Sequence, residues 1–72
     1  MLKNKLNYFR HQACFNKQKD FAAYLGVSHY SLNRWEKQTT QPDIDSLWKI
    51  YLKLKETYPE LHLEDLFEIA PD

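Results

Sequence analysis

Four polar side chains, His29, Tyr30, Asn33 and Arg34, crowd into one short stretch. They offer hydrogen-bond donors and acceptors, an aromatic face and a permanent positive charge. That inventory suits recognition of a polar, anionic surface better than the breaking of bonds. No nucleophile–base set, P-loop or glycine-rich phosphate cradle accompanies it. His11, His29 and His62 lack the paired spacing of metal ligands, and the single Cys14 supplies no sulfur pair for zinc. Asp43/Asp45 and Glu64/Asp65 could suggest acid–base pairs. Each pair stands at an expected helix start, where the helix dipole explains it better. An enzyme, a metal site and a cofactor are therefore not expected.

The elements that must position these side chains lie in Gln18 to Trp35, QKDFAAYLGVSHYSLNRW. Phe21, Ala22 and Leu25 follow a helical spacing, and Gly26 then interrupts as a helix stop would. Ser28 can cap a new helix, in which Leu32 and Trp35 restart the period. The spacing predicts two short helices, about 17–25 and 28–37, joined by a tight turn: a helix-turn-helix. Ala22 keeps the helices close, Gly26 takes a positive φ, and Val27 fills the wedge. Leu32 and Trp35 glue the second of these helices to the body, leaving His29, Tyr30, Asn33 and Arg34 outward. A helix held this way can enter a DNA major groove with its N-terminal residues at the base edges. There Tyr30 would stack on a sugar or a thymine methyl. Arg34 would contact a phosphate or pair with an acidic side chain of the domain. The competing reading is an ordinary helical hairpin with no nucleic-acid role.

The 72 residues make one small domain, spanning 1–72, which buries roughly 60% of its unfolded-chain surface. One Gly and three Pro favour helices over turn-rich β architecture. No apolar run is long enough for a membrane helix, and MLKNKLNYFRHQ lacks the apolar core of a signal peptide. The unpaired Cys14 fits a reducing cytosol. Net charge is zero, but its distribution is polar: residues 1–41 carry +5 and residues 42–72 carry −5. The basic part contains the helix-turn-helix and suits attraction to phosphates; the acidic part would face away.

Three further helices complete the reading. Leu2, Leu6, Phe9 and Ala13 form one stripe of a first helix over 2–12. Residues 13–16 connect it to the second helix, with Phe15 tucked inward and Asn16, or alternatively Lys17, as the cap. Pro42 ends a polar loop and Asp43 caps a fourth helix running to about Thr57. Ile44, Leu47, Trp48, Ile50, Tyr51 and Leu54 give that helix a wide apolar face, with Trp35 and Trp48 both read as core. A fifth helix over about 63–69 carries Leu63, Leu66 and Phe67.

Gln18 opening a helix, Ala22, LGVS at 25–28, the run from Ser28 to Glu36, the Pro-Asp pair and the closing LEDLF are together specific. The chain resembles the Cro/CI-type (xenobiotic-response-element) helix-turn-helix proteins of phages and bacteria. That resemblance implies an all-α, five-helix, lambda-repressor-like bundle in a bacterial or phage-encoded cytoplasmic protein. It implies backbone contact by Gln18, base contacts by Ser28, His29 and Tyr30, and a base or phosphate contact by Asn33. It places Lys37, Thr39 and Thr40 along phosphates, and pairs Arg10 structurally with Glu36. The family usually has Gly where this chain has Gln38. Gln38 must therefore adopt a strained conformation, or the third helix runs on.

The expectation is a sequence-specific transcriptional regulator bound to double-stranded DNA. One helix reads only about four or five base pairs, so a homodimer is expected, formed in solution or only on DNA. The last helix and the exposed part of the fourth would form its contact. The alternative is a protein-interaction module of the same fold, such as an antitoxin or developmental regulator, holding a partner through its acidic half.

Overall fold

Three successive helices end in the same way, and this sets the frame of the molecule. The computed structural model describes residues 1–71. Helix α1 spans Leu6–Gln12, α2 Gln18–Leu25 and α3 His29–Glu36. Past each helix end stands a residue in the left-handed region: Cys14 at φ 64°, Gly26 at 76° and Gln38 at 61°. Around each, two backbone hydrogen bonds close back onto the helix. For α2 these run from Gly26 N–H to Ala23 O (3.2 Å) and from Val27 N–H to Ala22 O (3.0 Å). This is the Schellman arrangement, which satisfies carbonyls that the helix end would otherwise orphan. Short helices thus reverse direction without long loops.

Helix α4, Ile44–Thr57, follows the polar loop and packs on α2. Its Leu47, Ile50 and Leu54 are buried, at the i, i+3, i+7 spacing of one face. They join Leu6, Phe9, Phe21, Ala22, Leu25, Leu32 and Trp35 in one apolar cluster that also takes in Leu61 and Leu66. Phe15 lies against it, its ring 5.3 Å from that of Phe21.

The ends of the fold differ from the five-helix expectation. Four α-helices are present among the described residues, not five. Residues Leu2–Asn4 form a strand, β1, not the first turn of a helix, and Leu2 is 52% exposed. Asn4 explains the break: its Oδ1 accepts from Leu6 N–H (3.1 Å), so helix α1 starts there. The supposed fifth helix is a short 3-10 helix, Leu63–Leu66, followed by a second strand, β2, Phe67–Ile69. β1 and β2 pair antiparallel, with Leu2 opposite Ile69 and Asn4 opposite Phe67. The molecule is thus mostly helical, with a two-stranded sheet between segments far apart in sequence.

Two smaller expectations also change. Lys17, not Asn16, occupies the cap of α2, without a side-chain hydrogen bond; the Asn16 carbonyl instead accepts from Arg10 Nη1 (3.2 Å). Trp48 is not core. It is half exposed, and with Ile44 and Leu52 it forms an i, i+4, i+8 stripe on the outer side of α4. Leu47, Ile50 and Leu54 already fill the space under the helix, so the wide apolar face splits into a buried and an open stripe.

Candidate nucleic-acid interface

Leu32 and Trp35 fix α3 from beneath, at 0% and 7% exposure. Ser28 starts the helix: it sits in extended backbone, and its Oγ accepts from Ser31 N–H (3.0 Å). The hydroxyl hydrogen is left to donate elsewhere. No acidic residue lies in the first turn, so the positive end of the helix dipole is not neutralised from within that turn. His29 is exposed and Tyr30 is 64% exposed.

Helix α2 organises this face from the side. Gln18 Oε1 accepts from His29 Nε2 (3.0 Å) and from Asn33 Nδ2 (3.1 Å). One carboxamide oxygen thereby holds two side chains of α3 in place, while its NH2 group is left to donate. Arg34 lies over the Tyr30 ring, 5.6 Å from its centroid, and its Nη1 donates to Tyr30 Oη (3.4 Å). Among the described residues it has no carboxylate partner. Together His29, Tyr30, Asn33, Arg34, Lys37 and Thr39 line an open concavity of about 570 Å³, and none of them is acidic. Thr40 is exposed in the same loop.

The back of α3 is anchored at Glu36. Arg10 Nε donates to both its oxygens, Oε1 at 3.2 Å and Oε2 at 3.0 Å, and Asn7 Nδ2 donates to Oε1 (2.8 Å). The two charged side chains are only 12% and 3% exposed. Arg10 Nη1 also donates to the carbonyls of Phe15 and Asn16, so one guanidinium ties α1, its connection to α2, and α3.

Among the described residues, none of His, Cys, Asp and Glu gathers into a group that could hold a metal ion, and no helix is long and apolar enough to cross a membrane. A helix-turn-helix family model matches residues 16–61, which include α2, the turn, α3 and all of α4. The chain belongs to the Cro/CI-type helix-turn-helix family of DNA-binding proteins. No curated protein matches the chain. For a Cro/CI-type protein the family fixes the general activity, DNA binding by a regulatory domain.

Sequence reasoning flagged Gln38 in the loop leaving α3 but did not single out Asn4 and Gln41, which bind it. Gln38 does take the left-handed conformation, and its side chain is bound to Asn4 of β1. Gln41 joins them, accepting from Asn4 Nδ2 (2.8 Å) and donating to Gln38 Oε1 (2.9 Å). The signal was Gln38 itself, a residue in a glycine's place that needs outside support. Farther along, Asp43 stands at the cap of α4, where its carbonyl accepts from Leu47 N–H (2.8 Å). Hydrogen bonding with the Ser46 side chain, chiefly, holds its carboxyl below the usual range. Near the turn, Lys49 Nζ donates to Gly26 O (2.9 Å), a contact no local pattern announces.

Proposed function

We propose that this protein is a sequence-specific transcriptional regulator that reads the DNA major groove with α3. The observation that carries the reading is the leading face of that helix: clamped by Leu32 and Trp35 beneath and ordered by Gln18 beside it, yet open outward at His29 and Tyr30. Ser28, His29 and Tyr30 would meet base edges, and Asn33 a base or a phosphate. Gln18, Arg34, Lys37, Thr39 and Thr40 would hold the backbone. Arg34 is assigned to a phosphate because no carboxylate competes for it among the described residues.

One helix brings only about three or four side chains to base edges, so a useful operator takes two copies on a palindromic site. The exposed stripe Ile44, Trp48 and Leu52 is the favoured contact between copies, since it is apolar and follows one helix face. Such a regulator would act on the genome of a bacterium or phage, in the cytoplasm.

Selection from a random duplex pool at two salt concentrations tests the reading. A motif should be enriched, its two halves related by a dyad, and affinity should fall steeply as salt rises. Lys37→Ala should weaken binding to every sequence and flatten the salt slope by roughly one. Negligible, sequence-independent binding would overturn the reading and favour a module that holds a protein partner.

A further inference from the structure

The loop leaving α3 carries Lys37, Thr39 and Thr40, yet its conformation is set from elsewhere in the chain. Gln38 has a φ of 61°, a region that costs most side chains about 1–2 kcal/mol. A glycine would tolerate it; glutamine needs compensation. Beside the local bonds from Gln38 N–H to Trp35 O (2.9 Å) and Thr39 N–H to Arg34 O (3.0 Å), β1 holds the side chain. In an antiparallel pair, alternate residues turn their N–H and C=O toward the partner strand. Lys5 N–H reaches Leu66 O and Ala70 N–H reaches Met1 O, so Asn4 turns its own groups the other way. There Asn4 N–H donates to Gln38 Oε1 (3.1 Å), and Gln38 Nε2 donates to Asn4 O (3.0 Å). The carboxamide of Gln38 stands where a third strand's peptide group would stand.

The Asn4 side chain closes the arrangement. The residue is buried, at 5% exposure. Its Nδ2 donates to Trp35 O (2.7 Å) in the last turn of α3, to Gln41 Oε1 (2.8 Å), and at 3.3 Å to Gln38 Oε1. A buried amide with this many partners is costly to disturb, because its bonds with Trp35 O and Leu6 N–H are themselves buried.

We infer that Asn4 is a positioning residue for DNA binding. It locks Gln38 in the left-handed conformation and so presents Lys37, Thr39 and Thr40 to the phosphate backbone. This rests on the function proposed above. It adds that the terminal sheet, which lies outside the helix-turn-helix, governs affinity without touching base preference.

Three variants test it: Asn4→Ala, Gln38→Ala, and the double variant Asn4→Ala/Gln38→Gly. Each is read by amide hydrogen exchange of residues 37–41 in the free protein, and by affinity for the selected operator. Asn4→Ala should expose the loop amides and weaken binding roughly tenfold on all sequences, with the preferred motif unchanged. Gln38→Ala keeps the start of α1 intact and should give the same loop exchange, which covers the case that Asn4→Ala does not fold. The double variant should recover loop protection and most of the lost affinity, because glycine holds a positive φ unaided. Unchanged loop exchange in both single variants, or a double variant no better than Asn4→Ala, would overturn the inference. Altered loop exchange in the variants of a parent protein that binds no duplex would instead sink the proposed function and leave Asn4 as an organiser of the loop alone.

Discussion

The turn leading into α3 and the loop leading out of it share one backbone geometry but are held by different means. Entry is local. Gly26 adopts φ 76° without the cost a Cβ would bring, and the turn's backbone hydrogen bonds close within α2, with Lys49 of α4 adding one bond to the Gly26 carbonyl. Exit has a remote hold as well. Gln38, at φ 61°, closes the same local bonds, and its side chain is also bound to Asn4, 34 positions earlier in the chain. The helix between them therefore has an autonomous front and a dependent back. Its front presents the residues assigned to base edges; its back leads to those assigned to phosphates. In this account base preference is a property of the helix-turn-helix, whereas affinity can be altered from the terminal sheet.

The largest expected effect lies at the dependent end. Arg10→Ala leaves Glu36, 3% exposed, with only Asn7 as a side-chain partner and frees the carbonyls of Phe15 and Asn16. A loss of about 3 kcal/mol in urea denaturation is expected, as for other buried pairs broken from one side. A change near zero would mean that α3 does not need its rear anchor.

Gly26→Ala probes the autonomous end and should cost about 1–2 kcal/mol. An added Cβ would meet only Lys49 Cε at 3.5 Å and Nζ at 3.6 Å, both ordinary contacts. The cost should therefore come from the positive φ and not from crowding. Repeating the substitution with Lys49→Ala separates the two: the penalty should persist when the lysine is gone. If it vanishes, the entry turn is less self-sufficient than the comparison holds.

The smallest effect lies where the exit loop meets α4. Ser46→Ala should raise the Asp43 carboxyl toward its usual value in an NMR titration, because Ser46 is the main cause of its lowering. A carboxyl with a lowered folded value favours the fold above the ordinary carboxylate range. That contribution is lost as pH falls through the folded value. The variant should show less of this acid dependence, and an unmoved Asp43 would show that another group holds the carboxylate.

The same contrast explains what the amino-acid sequence revealed. Phe21, Ala22, Leu25, Leu32 and Trp35 are buried at the helical spacing that announces them, with the left-handed Gly26 in the interruption. These features depend on neighbours within a turn or two. The ends were misread because they depend on partners far away. Leu2 matched a helical stripe, but pairing with Ile69 draws it into a strand. Phe67 likewise continued an apolar helix pattern, yet it lies extended in β2, opposite Asn4 of β1. Trp48 shows a different failure: periodicity identifies an apolar face but not how much of it the rest of the molecule can cover. The support of Gln38 by Asn4 was visible only as a missing glycine, since nothing local to either residue names the other.

The central claim is that the leading face of α3 chooses the DNA sequence, and a paired selection tests it most directly. The parent protein and the double variant His29→Ala/Tyr30→Ala would be matched for thermal stability and challenged with the same random duplex pool. The account predicts that the variant stays folded and enriches a different or degenerate motif at the half-site centre, with a similar salt slope. Enrichment of the parent's motif, unchanged, by the variant would contradict it.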